Sequence, residues 1–256
     1  MDALKFSLSG RTAFFKKLDV NSFFYFTYGN VHKVALLGIL GAICGYGGYN
    51  SQCLNKEQIY PEFYEKLKDI NIGVVPKNEK GYIDKKIQVF NNSVGYASKE
   101  LGGNLIVKEQ WLENPKWAIY ILMDENVPKD LKDRLLNFKF KYIPYLGKND
   151  HMANITDVEY LENIEKLDNT NKLDSIFIKD KYEIQKESKN FNDLKNIIKK
   201  SSSKIQEFKY EEMLPISLEE TTNKYNLETF IYTNSNLKPL ADTKTYKCGD
   251  KNIFFF

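Results

Sequence analysis

The stretch Asn30-Val31-His32-Lys33-Val34-Ala35-Leu36-Leu37-Gly38-Ile39-Leu40-Gly41-Ala42-Ile43-Cys44-Gly45 limits what this chain can fold into more than any other. It reads as one helix, apolar on nearly every face, and such a helix has to lie in an interior. Asn30 is placed to cap the first turn by accepting from an orphan N–H. Lys33 is the last charge before the apolar run. Gly45 to Gly48 end the helix, because glycine takes left-handed backbone at no steric cost. The run is too short and too rich in glycine for a membrane span, which takes about 20 predominantly apolar residues. It also starts too late for a secretory signal, and no cleavage site follows, so no targeting segment is expected.

Gly38, Gly41 and Gly45 share one face of this helix at spacings i, i+3 and i+7. Each costs about 1 kcal/mol of helix propensity against alanine. Two readings account for that cost. Another backbone packs closely on the face, a sheet being the usual partner, or the face floors a groove in which a partner or a nucleic acid lies.

Just before the helix stand Gly10-Arg11-Thr12-Ala13-Phe14-Phe15-Lys16-Lys17 and Asn21-Ser22-Phe23-Phe24-Tyr25-Phe26-Thr27-Tyr28. Cations beside clustered rings suit single-stranded RNA, since lysine and arginine neutralise phosphates while aromatic rings stack on bases. The charge balance agrees. Of the 37 basic and 34 acidic residues, five and two fall in residues 1–50, which leaves 32 of each in the rest of the chain. The whole excess of +3 therefore lies in the first 50 residues, as an electrostatic footprint for a polyanion would. Lysine dominates the basic residues; Arg11 and Arg134 are the two arginines. Arg11 has the planar fork that suits phosphate or base edges.

The 256 residues suffice for one large domain or two small ones. Leu4 to Leu8 alternates as a half-buried strand does. After the long helix, Glu57 to Asp69 has helical spacing and Ile70 to Val75 is a short strand closed by Pro76. Ile83 to Val89 and Asn104 to Trp111 read as two arms of a long hairpin. Trp117 to Met123 is almost all apolar, as a central strand is. Val127-Pro128 opens a helix with Leu131, Leu135 and Phe138 on one face. A further strand near Tyr142 would complete a ferredoxin-like βαββαβ unit, so the expected class is α+β. Residues 151–212 are more polar, with Ser175 to Ile178 and Lys204 to Tyr210 as candidate strands. Lys199 to Ser203 reads as a loop tip. Asn252 to Phe256 is too apolar to hang free and should dock as an edge strand or into a partner.

The blocks Gly10 to Lys17, Leu37-Gly38-Ile39-Leu40-Gly41-Ala42-Ile43, Tyr142 to His151, and Leu214-Pro215 with Thr229 to Thr233 resemble the "Cas five" family of type I CRISPR systems, most closely its subtype I-B branch. That family belongs to the RAMP superfamily. The resemblance implies an RRM-like domain over residues 1–150, a β-hairpin thumb inserted near 77–112, and a β-rich region over 151–256. It implies a non-catalytic subunit of a Cascade surveillance complex in antiviral defence, gripping the 5′ handle of CRISPR RNA (crRNA). Such a subunit would cap the filament of Cas seven backbone subunits and contact the large Cas eight subunit. It would meet target DNA only indirectly, because base pairing reads the guide's target. The residues expected on RNA are Arg11, Lys16 and Lys17 at phosphates, Tyr25 and Tyr28 as stacking platforms, and Asn30, His32 and Lys33 at the helix start. Lys85, Lys86 and Tyr96 are expected on the thumb, with Gly147 and Lys148 along the same groove.

Catalytic signatures are thin. Cys44, Cys53 and Cys248 form no CxxC pair and, with only His32 and His151, no zinc pattern. The expectation is a cytoplasmic chain with no metal and no cofactor. Gly45-Tyr46-Gly47-Gly48 follows a helix rather than opening one, so it is no P-loop. The alternative function comes from the I-C branch of the same family, a metal-independent endoribonuclease of precursor crRNA. Tyr46 or Tyr49, Lys148 and His151 would be its acid–base and phosphate-binding groups. The paired Lys-His of that branch has no counterpart here. Gly29-Asn30 also stands where many family members have Pro-Thr.

Overall fold

The computed structural model describes residues 1–18, 24–55, 57–185 and 206–256. The expected loop tip at 199–203, the start of the expected strand at Lys204 and the segment Asn21 to Phe23 lie outside the described residues.

The first strands are β1 (Asp2–Ser9) and β2 (Thr12–Ala13), followed by helices α1 (Lys33–Cys44), α2 (Tyr49–Leu54) and α3 (Glu62–Leu67). Then come β3 (Ile72–Pro76), β4 (Lys85–Asn91), β5 (Ile106–Glu113), β6 (Lys116–Met123), helix α4 (Leu131–Leu136) and β7 (Asn154–Leu161). The remainder is nearly all strand: β8 (Glu165–Lys166), β9 (Phe177–Ile178), β10 (Tyr182–Ile184), β11 (Lys209–Leu218), β12 (Tyr225–Thr233), β13 (Leu237–Pro239), β14 (Thr245–Cys248) and β15 (Lys251–Phe254). The protein is thus a mixed α/β structure dominated by strands.

Its centre is a four-stranded sheet of order β3-β6-β1-β7, with every neighbouring pair antiparallel. From Trp117 on, β6 carries no charged residue and is buried as far as Leu122, because both faces are covered. Trp117, Ile119 and Ile121 point into the cluster that holds α1 and α4, while Ala118, Tyr120 and Leu122 meet Ile253 and Phe255 on the other side. Strand alternation therefore feeds two separate cores. The C-terminal residues dock within the chain: Phe254 and Phe255 are buried, and Phe256 exchanges backbone hydrogen bonds with Ile72 at 3.0 and 3.1 Å. Gly73 permits this approach, since a Cβ there would collide with Ile253.

Several sequence expectations change, among them the helix expected from Val127-Pro128 through Phe138, which is only Leu131–Leu136 and leaves Phe138 outside at φ +51. The fourth sheet strand is β7, at 154–161, not near Tyr142, so the sheet runs past the boundary expected at residue 150. The segment 139–153 is instead a loop closed by a bridge between Tyr145 and Met152. The helix expected over 57–69 is only the six residues of α3, and another six-residue helix, α2, precedes it. The cap of α1 is His32, whose Nδ1 accepts from the Ala35 N–H at 3.2 Å. Asn30 is fully buried and bridges distant segments, accepting from Trp117 Nε1 at 2.9 Å and donating to the Gly81 carbonyl at 3.2 Å. The amide is thus turned to Trp117 and Gly81, while the cap position falls two residues later at His32. At the other end Gly45 closes α1 as expected, at φ +85 with its N–H on the Gly41 and Ala42 carbonyls.

The hairpin β4–β5 pairs antiparallel from Lys85↔Leu112 to Asn91↔Ile106 and adds β2 to form a second sheet of order β2-β5-β4. Beyond that pairing, Val94, Tyr96, Leu101 and Leu105 are exposed around its tip.

Candidate nucleic-acid interface

The three glycines of α1 do not share one role. A Cβ on Gly41 would come 2.5 Å from Cβ of Phe63, so α3 lies directly on that position. Gly45 is the left-handed cap. Gly38 has nothing nearer to its Cβ position than the Phe63 ring at 4.0 Å. With Ala35 and Ala42 it floors a groove of about 870 Å³.

One wall of the groove is Phe14 to Lys16; the other is the loop carrying Tyr142, Tyr145, Gly147 and Lys148. Tyr46, Tyr49 and Tyr225 also line it, which makes five tyrosines in all. The first wall is built by backbone pairing. Tyr28 N–H donates to the Phe15 carbonyl at 2.8 Å, and Lys17 N–H to the Phe26 carbonyl at 2.8 Å. Tyr25 then joins this ribbon to the hairpin, donating to the Lys108 carbonyl and accepting from the Gln110 N–H, both at 2.9 Å. The second wall closes on the first at Gly147. Its φ is +87, and a Cβ there would strike the Phe14 carbonyl. Only glycine fits such an approach.

Lys16, His32, Gly147 and Lys148 are the expected site residues that line the groove. Their electrostatic states differ. The Lys16 ammonium lies 4.1 Å over the Tyr25 ring, a contact that leaves its charge available. Lys148 is held between Glu109 at 3.1 Å and Asp150 at 3.5 Å. Glu109, itself 5% exposed, also accepts from Trp111 Nε1 at 2.8 Å. His32 is boxed by the rings of Phe15, Tyr28 and Tyr225 at 5.8, 5.3 and 5.4 Å. Burial pushes its pKa down to about 3. It is neutral near pH 7, and because Nδ1 accepts, the proton sits on Nε2.

The other expected residues are spread out. Arg11 is exposed, with no partner for its guanidinium among the described residues. Lys17 pairs with Glu212 at 3.5 Å and lies 5.3 Å over the Tyr28 ring. Tyr25 is half-buried. Tyr28 is only 5% exposed, packed on His32, and offers no free ring face for a base. Asn30 is likewise unavailable, tied up in the interior as described above. Lys33 is buried at the first turn of α1; burial lowers its pKa to about 8 against the opposing pull of Asp69. Lys85 and Lys86 sit at the base of the hairpin, half-buried, with Lys86 paired to Glu113 at 3.3 Å. Burial depresses the Lys85 pKa, while Glu212 raises it. Tyr96 is exposed at the hairpin tip, away from the groove.

His151 is 1% exposed and does not line the groove. Its Nδ1 lies 2.7 Å from Thr12 Oγ1, its ring stands edge-on to Trp111 at 4.6 Å, and its Nε2 has no hydrogen-bond partner. Burial lowers its pKa. Sequence reasoning missed Tyr225, Glu109 and Glu212 altogether. Tyr225 lies in a polar stretch, and the two glutamates are single acids among many, so none carries a local signal.

No family model matches the sequence, and no curated protein matches it. Solved structures do. A CRISPR protein from Archaeoglobus fulgidus aligns with a TM-score of 0.54 at 13% identity, over 99% of this chain and 98% of that one. A chain of a CRISPR RNA-guided surveillance complex aligns over 93% of this chain and 91% of its own, with a TM-score of 0.49 and 10% identity. At these identities the first likeness is one of fold: end to end, this chain has the mixed, strand-rich architecture of a CRISPR protein. No helix among the described residues is long and apolar enough to cross a membrane.

Proposed function

We propose that this chain is a non-catalytic Cas five subunit of a type I-B Cascade, binding the 5′ handle of crRNA. The observation that carries the reading is the groove on α1, with a floor of small residues, walls of tyrosine and lysine at its edge. Small floor residues let a nucleobase or a sugar–phosphate chain come close, and ring faces accept bases without demanding a sequence. Fold likeness to a CRISPR protein over 99% of the chain supports the setting. The strand order of the central sheet supports a ferredoxin-like, RRM-like unit, since β1, β3, β6 and β7 stand in the order 2-3-1-4 when counted along that unit. The β4–β5 hairpin takes the place of the thumb. In this reading the subunit caps a Cas seven filament, contacts Cas eight, and works in the cytoplasm without metal or cofactor. Sequencing the RNA that travels with the tagged protein in its own cell tests it. Mature crRNA beginning with the handle is the expected cargo, and an absence of RNA would reject the reading.

One observation favours the endoribonuclease alternative: His32, Tyr46, Lys16 and Lys148 border the same groove. A general base or acid works best with a pKa near the operating pH. His32 titrates far below that, and His151 is buried outside the groove. The expected result is that the protein alone leaves labelled repeat RNA intact. Specific cutting that disappears in His32→Ala or Tyr46→Phe would reverse the preference.

A further inference from the structure

The carboxylate of Glu212, on β11, occupies a cluster of donors built like a phosphate site. Both its oxygens lie 2.9 Å from the Gly29 N–H. The Tyr210 hydroxyl donates to it at 2.6 Å, and the Lys17 ammonium stands 3.5 Å away. Lys85 is near enough for the carboxylate to raise its pKa against burial. One backbone N–H, one hydroxyl and one ammonium group thus converge on a single anion, with Lys85 beyond ion-pair distance from it. Phosphate oxygens in nucleic-acid complexes are held by the same kinds of donor. The bare backbone of Gly29 admits these groups, since a Cβ there would run into the Tyr210 hydroxyl and Glu212.

The cluster is open at its edge. The Glu212 side chain is 12% exposed and that of Lys17 is 29% exposed. It also adjoins the groove wall in sequence, since Lys16 lines the groove and Lys17 does not. Adjacent lysines are therefore in opposite states, one held only against a ring and the other neutralised from a strand far along the chain.

We propose that Glu212 is an internal anion that competes with bound RNA for Lys17, so that the free chain carries a phosphate-type site filled in cis. The proposal rests on the RNA-binding reading above. RNA phosphates meet Arg11 and Lys16 directly. They engage Lys17 only by displacing Glu212, so Lys17 adds little to the salt dependence of binding while that carboxylate is charged.

The test is a salt titration of the full-length protein with labelled single-stranded repeat RNA. Glu212→Gln keeps the side chain's shape and removes its charge. It should bind more tightly than the wild type, with a log–log salt slope steeper by roughly 0.7 for the one freed phosphate contact. Adding Lys17→Ala to Glu212→Gln should remove most of the gain. An unchanged slope in a folded Glu212→Gln protein would overturn the proposal while leaving RNA binding standing. If Glu212→Gln does not fold, single replacements decide. Lys17→Ala should then flatten the slope far less than Arg11→Ala does, and equal losses would overturn the proposal. If the wild type and every variant fail to bind RNA, the RNA reading falls and this inference with it.

Discussion

Helix α1 presents small residues along one side, and their fates differ. Gly41 lies beneath Phe63, and the missing side chain lets α3 sit directly on the helix. Beside it, Ala35, Gly38 and Ala42 border a groove, where a Cβ on Gly38 would meet nothing nearer than the Phe63 ring at 4.0 Å. The same residue type serves close packing in one place and access in the other. Spacing along a helix shows that two positions share a side; it does not show what lies across from them. Here the position of α3 separates the two uses.

The largest expected effect tests the packed face. Gly41→Leu forces a whole side chain into Phe63, and overpacking typically costs 1–3 kcal/mol. This substitution should reach or exceed the upper end of that range, read as a fall in thermal or urea stability. Unchanged melting would mean that α3 is not held on this face. Gly38→Ala is the matched control: its Cβ meets nothing closer than 4.0 Å, so the gain in helix propensity should leave stability equal or higher.

His32, at the head of the groove, comes next. Its folded pKa of about 3 lies below its ordinary value of 6.5, so between those values the unfolded chain binds more protons than the folded one. Stability contributed by the neutral ring is therefore present above about pH 6.5 and declines as pH falls through the window. The slope approaches about 1.4 kcal/mol per pH unit. His32→Asn keeps a good N-cap and removes the titration. Its unfolding free energy should fall less steeply between pH 6 and 4 than that of the wild type, and parallel curves would contradict the buried, neutral assignment.

Smaller effects sharpen the open face. Arg11→Ala and Lys16→Ala should each lower the log–log salt slope of RNA binding by roughly 0.7, because neither cation has an ionic partner within the described residues. An unchanged slope in the double mutant would take these residues out of the interface. Smallest of all is Tyr96→Ala at the hairpin tip. With the residue 77% exposed, the change in stability should stay within about 0.5 kcal/mol. A larger loss would show that the tip packs on something within the chain.

Local chemistry decided a good deal of this architecture in advance. The end of α1 at Gly45 follows from glycine's freedom at positive φ. The two hairpin arms follow from strand-like runs flanking a turn-rich tip, and they pair one-to-one from Lys85 to Asn91. The unbroken apolar run of β6 announced a strand covered on both sides, and the apolar C-terminus had to dock. Each of these signals acts over a few residues, so composition and spacing suffice to carry it. Only the tertiary structure decided which groups are available. Tyr28 and Asn30 look like part of a recognition surface in the sequence, yet packing on His32 and a hydrogen bond from Trp117 hold them in the interior. Lys148 is matched by Glu109, 39 positions away, and the Gly29 backbone by Glu212, 183 positions away. An isolated acid leaves no periodic trace in a sequence, and a lysine's charge counts for a ligand only after the fold has settled which carboxylate stands beside it.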